Sequence, residues 1–208
     1  MKSLLIIGAG GHGKVVAETA MSTEKWDKYA FIDEIYPKLK SVLDIPVISN
    51  SFETEEIKRS YSDVIVAIGN NKKRLQLSVQ LINQGFNLVN VLHPSAIISD
   101  SAKIAQGTVI FAQSVVQANV EIGMATIINT SVTVDHDCSL GSAVHLSPGA
   151  HLGGNVVVGD ESWLGLGSSV INDISIGAHV IIGAGAVVVS DIEDKVKAIG
   201  VPAKATSA

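Results

Sequence analysis

The sequence predicts two architectures in one chain: a small Rossmann-like α/β domain over residues 1–91, then a left-handed parallel β-helix over 92–194 with a tail at 195–208. Three observations carry this. Every sixth residue from Leu92 to Val188 is Leu, Ile or Val, without a slip of frame. Four places after many of these hits stands a small or β-branched residue, as at Ala102, Thr108, Ser114, Thr126, Cys138, Ala150, Ser162, Ser168 and Ala186. Before Leu92 the pattern is different, with short apolar runs alternating with helical spacing and glycine-rich turns. A period of six fits neither a helix nor simple alternation; it marks hexads that each give a short strand and a turn, three to a coil of about eighteen residues. The aliphatic residue points inward, and the small residue fills the space near a corner.

In the first part Ser3–Gly8 reads as a buried strand, Gly8–Gly13 as a glycine-rich turn and Lys14–Met21 as the helix that follows. Tyr29–Asp33 is a second strand, Pro46–Ile48 an edge piece, Asp63–Ile68 a strand ending in Gly69-Asn70-Asn71, Leu75–Asn83 a helix stopped by Gly85, and Leu88–Leu92 a last strand. Strands alternating with helices imply a parallel sheet of the mononucleotide-binding kind, and about ninety residues suffice for one half of such a domain.

Composition bounds the chemistry. The formal net charge is −5, and no run of Lys or Arg interleaved with aromatics appears, which argues against a nucleic-acid surface. No Lys or Arg occurs between Ile104 and Asp194, so an anion on the β-helix would meet backbone N–H groups, helped by Lys195, Lys197 and Lys204. The lone Cys138 falls at an inward position and is expected to be a small core residue. The opening apolar run is too short for a signal peptide, and Val180–Val189 is too short and glycine-broken for a membrane span, so a cytoplasmic protein is expected.

Two stretches carry candidate chemistry. Gly8, Gly10 and Gly13 satisfy G-x-G-x-x-G between a strand and a helix, with Asp33 twenty residues beyond Gly13. Glycines let the backbone approach a phosphate, and a helix N-terminus favours its charge, so a nucleotide or nucleotide sugar fits better than a dinucleotide, which would need the missing second half. A tight structural turn is the other reading. His12 lies in that turn and offers a donor to a phosphate or sugar oxygen.

In the repeat, Asp135-His136-Asp137 places an imidazole between two carboxylates at outward positions. A carboxylate stabilises the protonated ring and strengthens the neutral one as a base; either Asp135 or Asp137 can serve, and a solvated surface histidine is the alternative. Residues eighteen apart stack, and eighteen beyond His136 is Gly154, whose bare backbone N–H is open to an oxyanion. Base and donor then lie about 4.8 Å apart in height. His145 and His151 occupy adjacent faces and do not converge, so no metal site is expected; His145 could touch a cofactor, whereas His93 and His179 read as structural or solvated. Exposed aliphatic faces over 110–116 and 156–163 give a motive for trimerisation.

With these motifs in view, the chain resembles the sialic acid O-acetyltransferase-like sugar acyltransferases, and more closely the bacterial nucleotide-sugar N-acetyltransferases of bacillosamine-type 4-amino sugars. The resemblance rests on Gly8-Ala9-Gly10-Gly11-His12-Gly13, Phe31-Ile32-Asp33-Glu34, Ala67-Ile68-Gly69-Asn70-Asn71 with Arg74, His93-Pro94-Ser95-Ala96, Asn129-Thr130, Asp135-His136-Asp137-Cys138 and Gly200-Val201-Pro202-Ala203-Lys204. It implies a homotrimer with acetyl-CoA as co-substrate lying between β-helices, and no metal. By the same resemblance His136 is the general base with Asp137 as its acidic partner, and Gly154 holds the acetyl carbonyl. His145, Leu166 and Ala184 line the CoA groove, with Lys204 in the tail, and Gly10, Gly11, His12, Asp33, Glu34 and Gly69 contact the nucleotide sugar. The implied reaction is direct N-acetylation of the C4 amine of a UDP-linked 4-amino-4,6-dideoxy sugar. Rivals are O-acetylation of sialic acid or another sugar, N-acetylation of GDP-perosamine, and a non-enzymatic nucleotide-binding scaffold.

Overall fold

A computed structural model describes residues 2–206. The chain divides into two compact units between Pro94 and Ser95. In the first, strands β1 (Ser3–Ile7), β2 (Lys28–Ile32), β3 (Ser41–Val42), β4 (Ile45–Ser49), β5 (Asp63–Val66) and β6 (Asn87–Leu88) form one sheet in the order β3-β4-β2-β1-β5-β6. Helices α1 (Gly11–Ser22), α2 (Glu55–Ser60) and α3 (Asn71–Asn83) connect them. The central strand β1 is parallel to β2 and β5 on its two sides, and Leu4, Leu5 and Ile6 are fully buried, as expected of a strand covered on both faces. The sheet matches the expected parallel arrangement, with two differences. Pro46–Ile48 lies inside β4, which is not an edge because β3 pairs with it antiparallel through a turn at Leu43 and Asp44, both at positive φ. The short α2, capped by the Thr54 hydroxyl accepting from Ile57 N–H, carries too few apolar residues to show a period.

The first turn of α1 packs against the end of β1 so closely that a Cβ on Gly13 would lie 2.1 Å from the Gly8 carbonyl oxygen. That contact, more than any need for φ freedom, is why glycine stands at position 13.

In the second unit a two-residue strand recurs every six positions from Ile97–Ile98 to Val187–Val188, and the strands stack into three parallel sheets. The register is eighteen residues throughout, as in Val115↔Thr133, Thr133↔His151 and Ile127↔His145. This is the expected left-handed β-helix. From Ile110 onward the aliphatic frame is buried; Leu92, Ile98 and Ile104 are half-buried. The small residues add hydrogen bonds: Ser114 Oγ donates to the Asn129 carbonyl at 2.8 Å, Ser162 Oγ to that of Gly177 at 2.7 Å, and Cys138 Sγ to that of Gly153 at 3.1 Å. Burial pushes the Cys138 thiol up, away from nucleophilic use.

From Ile104 to Ile182, three residues after each frame position the chain turns its corner at positive φ, at Gly107, Gln113, Asn119, Ala125, Ser131, Asp137, Ala143, Gly149 and onward every six residues to Gly185. An L residue there costs about 1–2 kcal/mol. The stack offsets that cost, because the corner N–H donates to the coil before it: Asp137 to the Ala118 carbonyl and Asn155 to that of His136, at 3.0 and 2.9 Å.

The period ends with a two-residue shortcut after Val188. Ile192 bridges Ile176, and Lys197 pairs with Ile181, sixteen residues back instead of eighteen. Lys197–Ile199 therefore continues the stack and pairs antiparallel with Lys204–Ala205, so the tail at 195–208 carries a final strand and its return. The expectation of exposed aliphatics over 110–116 fails, since Ile110, Phe111 and Val116 are at most 1 % exposed. Over 156–163 it holds, with Val157 and Trp163 exposed; Leu166, Ile181, Ile199 and Val201 are exposed further along, and Ile97 in the first coil.

Leu146 sits fully buried on the axis of the stack. Leu146→Ala is expected to lower stability by about 2–5 kcal/mol, read as a fall in the urea midpoint at unchanged slope. Trp163→Ala, outward on the same face, should cost distinctly less.

Candidate functional site

The first unit holds a pocket of about 500 Å³ at the carboxyl ends of β1, β2 and β5. Its lining includes Gly10, Gly11, His12, Asp33, Glu34 and Gly69, so the six residues expected to contact a nucleotide sugar converge, joined by Ile35, Phe52, Lys73 and Leu77. Gly10 caps α1 without a side chain, which leaves the helix N-terminus bare toward the pocket.

Asp33 does more than line the wall. Its carboxylate accepts from Ala9 N–H at 2.7 Å and from Ile35 N–H at 3.0 Å, tying the glycine turn to the end of β2. Asp33 thus shapes the turn as well as lining the pocket. Glu34 forms an ion pair with Lys73 at the start of α3. Arg74, fully buried, donates to the carbonyls of Ile68 and Gly69 at 3.0 and 3.2 Å and to Asn71 Oδ1 at 2.9 Å, holding the third loop of the pocket. Burial, and then the Arg74 charge, push His12 down to about 4. It is a neutral donor or acceptor at physiological pH, and any cationic help to an anion comes from Lys73.

In the second unit the Asp135-His136-Asp137 corner follows the strand Thr133–Val134. The two carboxylates have different tasks. Asp135 Oδ1 accepts from His136 backbone N–H at 2.8 Å, a local turn cap, whereas Asp137 Oδ2 lies 2.8 Å from His136 Nδ1. The Asp137 contact, reinforced by the charges of Asp135, Asp137 and Asp173, raises His136 above its ordinary value. It also places the Nδ1 proton toward the carboxylate, which leaves Nε2 as the free basic nitrogen.

Gly154 stacks on His136 as the eighteen-residue register requires. A Cβ there would lie 2.6 Å from His136 Cε1 and 2.7 Å from Nε2. Only glycine admits the ring against the backbone. Among the described residues, Gly154 N–H makes no hydrogen bond.

The residues expected to hold a cofactor gather elsewhere. Leu166 and Ala184 are eighteen apart at the preceding corner of the prism, both exposed, and Gly185 N–H donates to the Leu166 carbonyl. Beside them His145 stacks on Trp163, with centroids 5.9 Å apart and planes at 16°, and lies 3.5 Å from Asn129 Nδ2 through Nε2. Trp163 Nε1–H donates to Ser147 Oγ at 2.7 Å. Lys204 is exposed on the return strand. One whole side of the prism, bearing Thr133, His151 and Ser169, separates this corner from that of His136 and Gly154. Trp163 was legible in principle, since it lies eighteen beyond His145; Lys73 belongs to the aperiodic half and has no such offset. Among the described residues no group of three or more His, Cys, Asp or Glu is placed to hold a metal ion, and no helix is long and apolar enough to cross a membrane.

The PglD N-terminal domain family matches residues 3–81. The acetyltransferase domain of PglB from Neisseria gonorrhoeae is 42 % identical and superposes with a TM-score of 0.94, covering 99 % of this chain and 100 % of that one. The chain belongs to the nucleotide-sugar N-acetyltransferases of this PglD type. The same Neisseria domain has been solved with acetyl coenzyme A, at 43 % identity and TM-score 0.92 over 99 % of each chain. A histidine-to-alanine variant of GDP-perosamine N-acetyltransferase from Caulobacter crescentus, in complex with CoA and GDP-perosamine, is 40 % identical with a TM-score of 0.95, covering 100 % and 98 %. The UDP-N-acetylbacillosamine N-acetyltransferase of Bacillus subtilis is 39 % identical over 114 residues, 54 % of this chain and 52 % of its own, so the match spans about half of that curated relative.

The geometry sets opposite behaviour for two histidines. An NMR titration should place His136 above an ordinary imidazole, because the Asp137 carboxylate favours imidazolium, and Asp137→Asn should move it down. His12 should stay neutral to below pH 5.

Proposed function

We propose that this protein is an acetyl-CoA-dependent N-acetyltransferase acting on the C4 amine of a UDP-linked 4-amino-4,6-dideoxy sugar, with His136 as general base. The pairing of His136 with Asp137 against the bare backbone of Gly154 carries the reading. Family membership supports acetyl-CoA as donor and a nucleotide amino sugar as acceptor, and the convergence of Gly10, Gly11, His12, Asp33, Glu34 and Gly69 on one first-unit pocket supports that pocket as the place for the nucleotide.

The amine attacks the thioester carbonyl as a neutral nucleophile. As the C–N bond forms, the carbonyl oxygen becomes an oxyanion that Gly154 N–H stabilises, and His136 Nε2 takes the proton from nitrogen. Collapse expels CoA thiolate, which is protonated in turn, and no acyl-enzyme forms. Asp137 holds the ring and stabilises the imidazolium.

The CoA-lining residues and the base sit on different corners of one prism, so a second copy completes the site. A homotrimer, with Trp163, Leu166 and Ile181 covered by a neighbour, joins the two corners. GDP-perosamine is the nearest alternative acceptor, favoured by a relative solved with that ligand.

A thiol-release assay across UDP- and GDP-linked 4-amino sugars decides the acceptor, and turnover with UDP-linked substrates is expected to dominate. His136→Ala should lower kcat by about 10²–10⁴; near-normal turnover would remove the histidine from the mechanism. Because the base must be neutral, kcat/KM should rise as pH is raised through the His136 value, which Asp137 holds above that of an ordinary imidazole. Light scattering should give three times the chain mass, and a monomer at micromolar concentration would overturn the shared site.

A further inference from the structure

Asn119, Asp137, Asn155 and Asp173 are stacked eighteen residues apart on the corner that carries His136, each at φ near +60°. Asn and Asp tolerate that conformation better than other L residues. Their order also alternates amide with carboxylate. Asn119 Nδ2 donates to Asp137 Oδ1 at 3.1 Å, and Asn155 Nδ2 to Asp173 Oδ1 at 2.8 Å. Carboxylates on adjacent coils would repel, whereas an amide between them supplies a donor.

We propose that Asn119 is a positioning residue for the His136–Asp137 pair, holding the carboxylate that holds the imidazole. The inference rests on the role given to His136 above. A carboxylate bound through one oxygen can swing about its last torsion; Asp137 is bound through both, Oδ2 at His136 Nδ1 and Oδ1 at Asn119. Asn119 is itself fixed from the coil before, its N–H donating to Ser101 Oγ at 3.0 Å. The path from Ser101 through Asn119 and Asp137 to the imidazole, which rests on Gly154, crosses successive coils at one corner. Asn119 touches no reacting atom, so its effect passes through Asp137 alone.

Asn119→Gly removes the amide without strain at positive φ. In the thiol-release assay with acetyl-CoA and a UDP-linked 4-amino-4,6-dideoxy sugar, or GDP-perosamine if that is the substrate turned over, the full chain carrying Asn119→Gly should lose about fivefold in kcat with both KM values unchanged. In an Asp137→Ala background the same change should cost less than about twofold, because coupled residues are not additive. The same fold loss in both backgrounds would make Asn119 merely structural, and a kcat within twofold of the parent would remove it from the pair's support; either overturns the proposal. His136→Ala distinguishes the premise: loss of turnover there with no effect of Asn119→Gly sinks only the positioning role, whereas retained turnover sinks the base assignment and the inference together.

Discussion

The coil-to-coil hydrogen bond at the corner is the constraint on which the β-helix depends. From Gln113 to Gly185 each turn holds a residue at positive φ, and its N–H finds an acceptor one coil earlier, a serine hydroxyl for Gln113 and Asn119 and a carbonyl from Ala125 onward. Without that bond the corners would be a repeated penalty of about 1–2 kcal/mol apiece; with it they fix the register at eighteen residues as firmly as the strands do. Because strands of two residues make so few bonds of their own, the corner is where register is set. The functional consequence is positional. A side chain at a corner has its neighbours chosen by arithmetic, and His136 has Gly154 above it for that reason.

Electrostatics then separate the two candidate regions. His136 is exposed among carboxylates and raised; His12 is set into an α/β pocket near a buried guanidinium and lowered to about 4. The same residue type is thus an exposed imidazole with its protonated form favoured in one unit and a neutral pocket wall in the other. Removing Lys and Arg from most of the β-helix keeps the Asp137 carboxylate available to its own histidine, with no competing cation along the corner.

How much was legible follows from periodicity. The hexads revealed the β-helix, the strand positions, the inward Cys138 and the stacking of Gly154 on His136, because one offset governs them all. The choice between Asp135 and Asp137 was not legible: both flank the histidine, and only positive φ at Asp137 turns its carboxylate toward Nδ1 while Asp135 caps the turn. In the α/β unit the glycine turn and the strands were readable, but the double use of Asp33 by Ala9 and Ile35 was not, since backbone donors leave no trace in residue types. The expectation of exposed aliphatics over 110–116 failed for a related reason: the six-residue period fixes which residues point inward, but not what covers those that point outward.

A straight prism also limits what one chain can do. Residues on one corner are brought together by stacking, but two corners stay a full side apart however long the stack grows. His136 and Gly154 share a corner, while His145, Trp163, Leu166 and Ala184 cluster at the one before it. No rearrangement of side chains closes that gap, and bending the prism would break the corner bonds. A thioester carbonyl held at Gly154 by a CoA that also reaches His145 and Leu166 of the same chain would have to cross the exposed side bearing Thr133, His151 and Ser169. A neighbouring prism laid against that side supplies its own preceding corner instead, and covers apolar side chains that one chain leaves in water. The fold that spaces the proposed base and the proposed oxyanion donor so regularly is thus the reason the proposed reaction needs more than one copy of it.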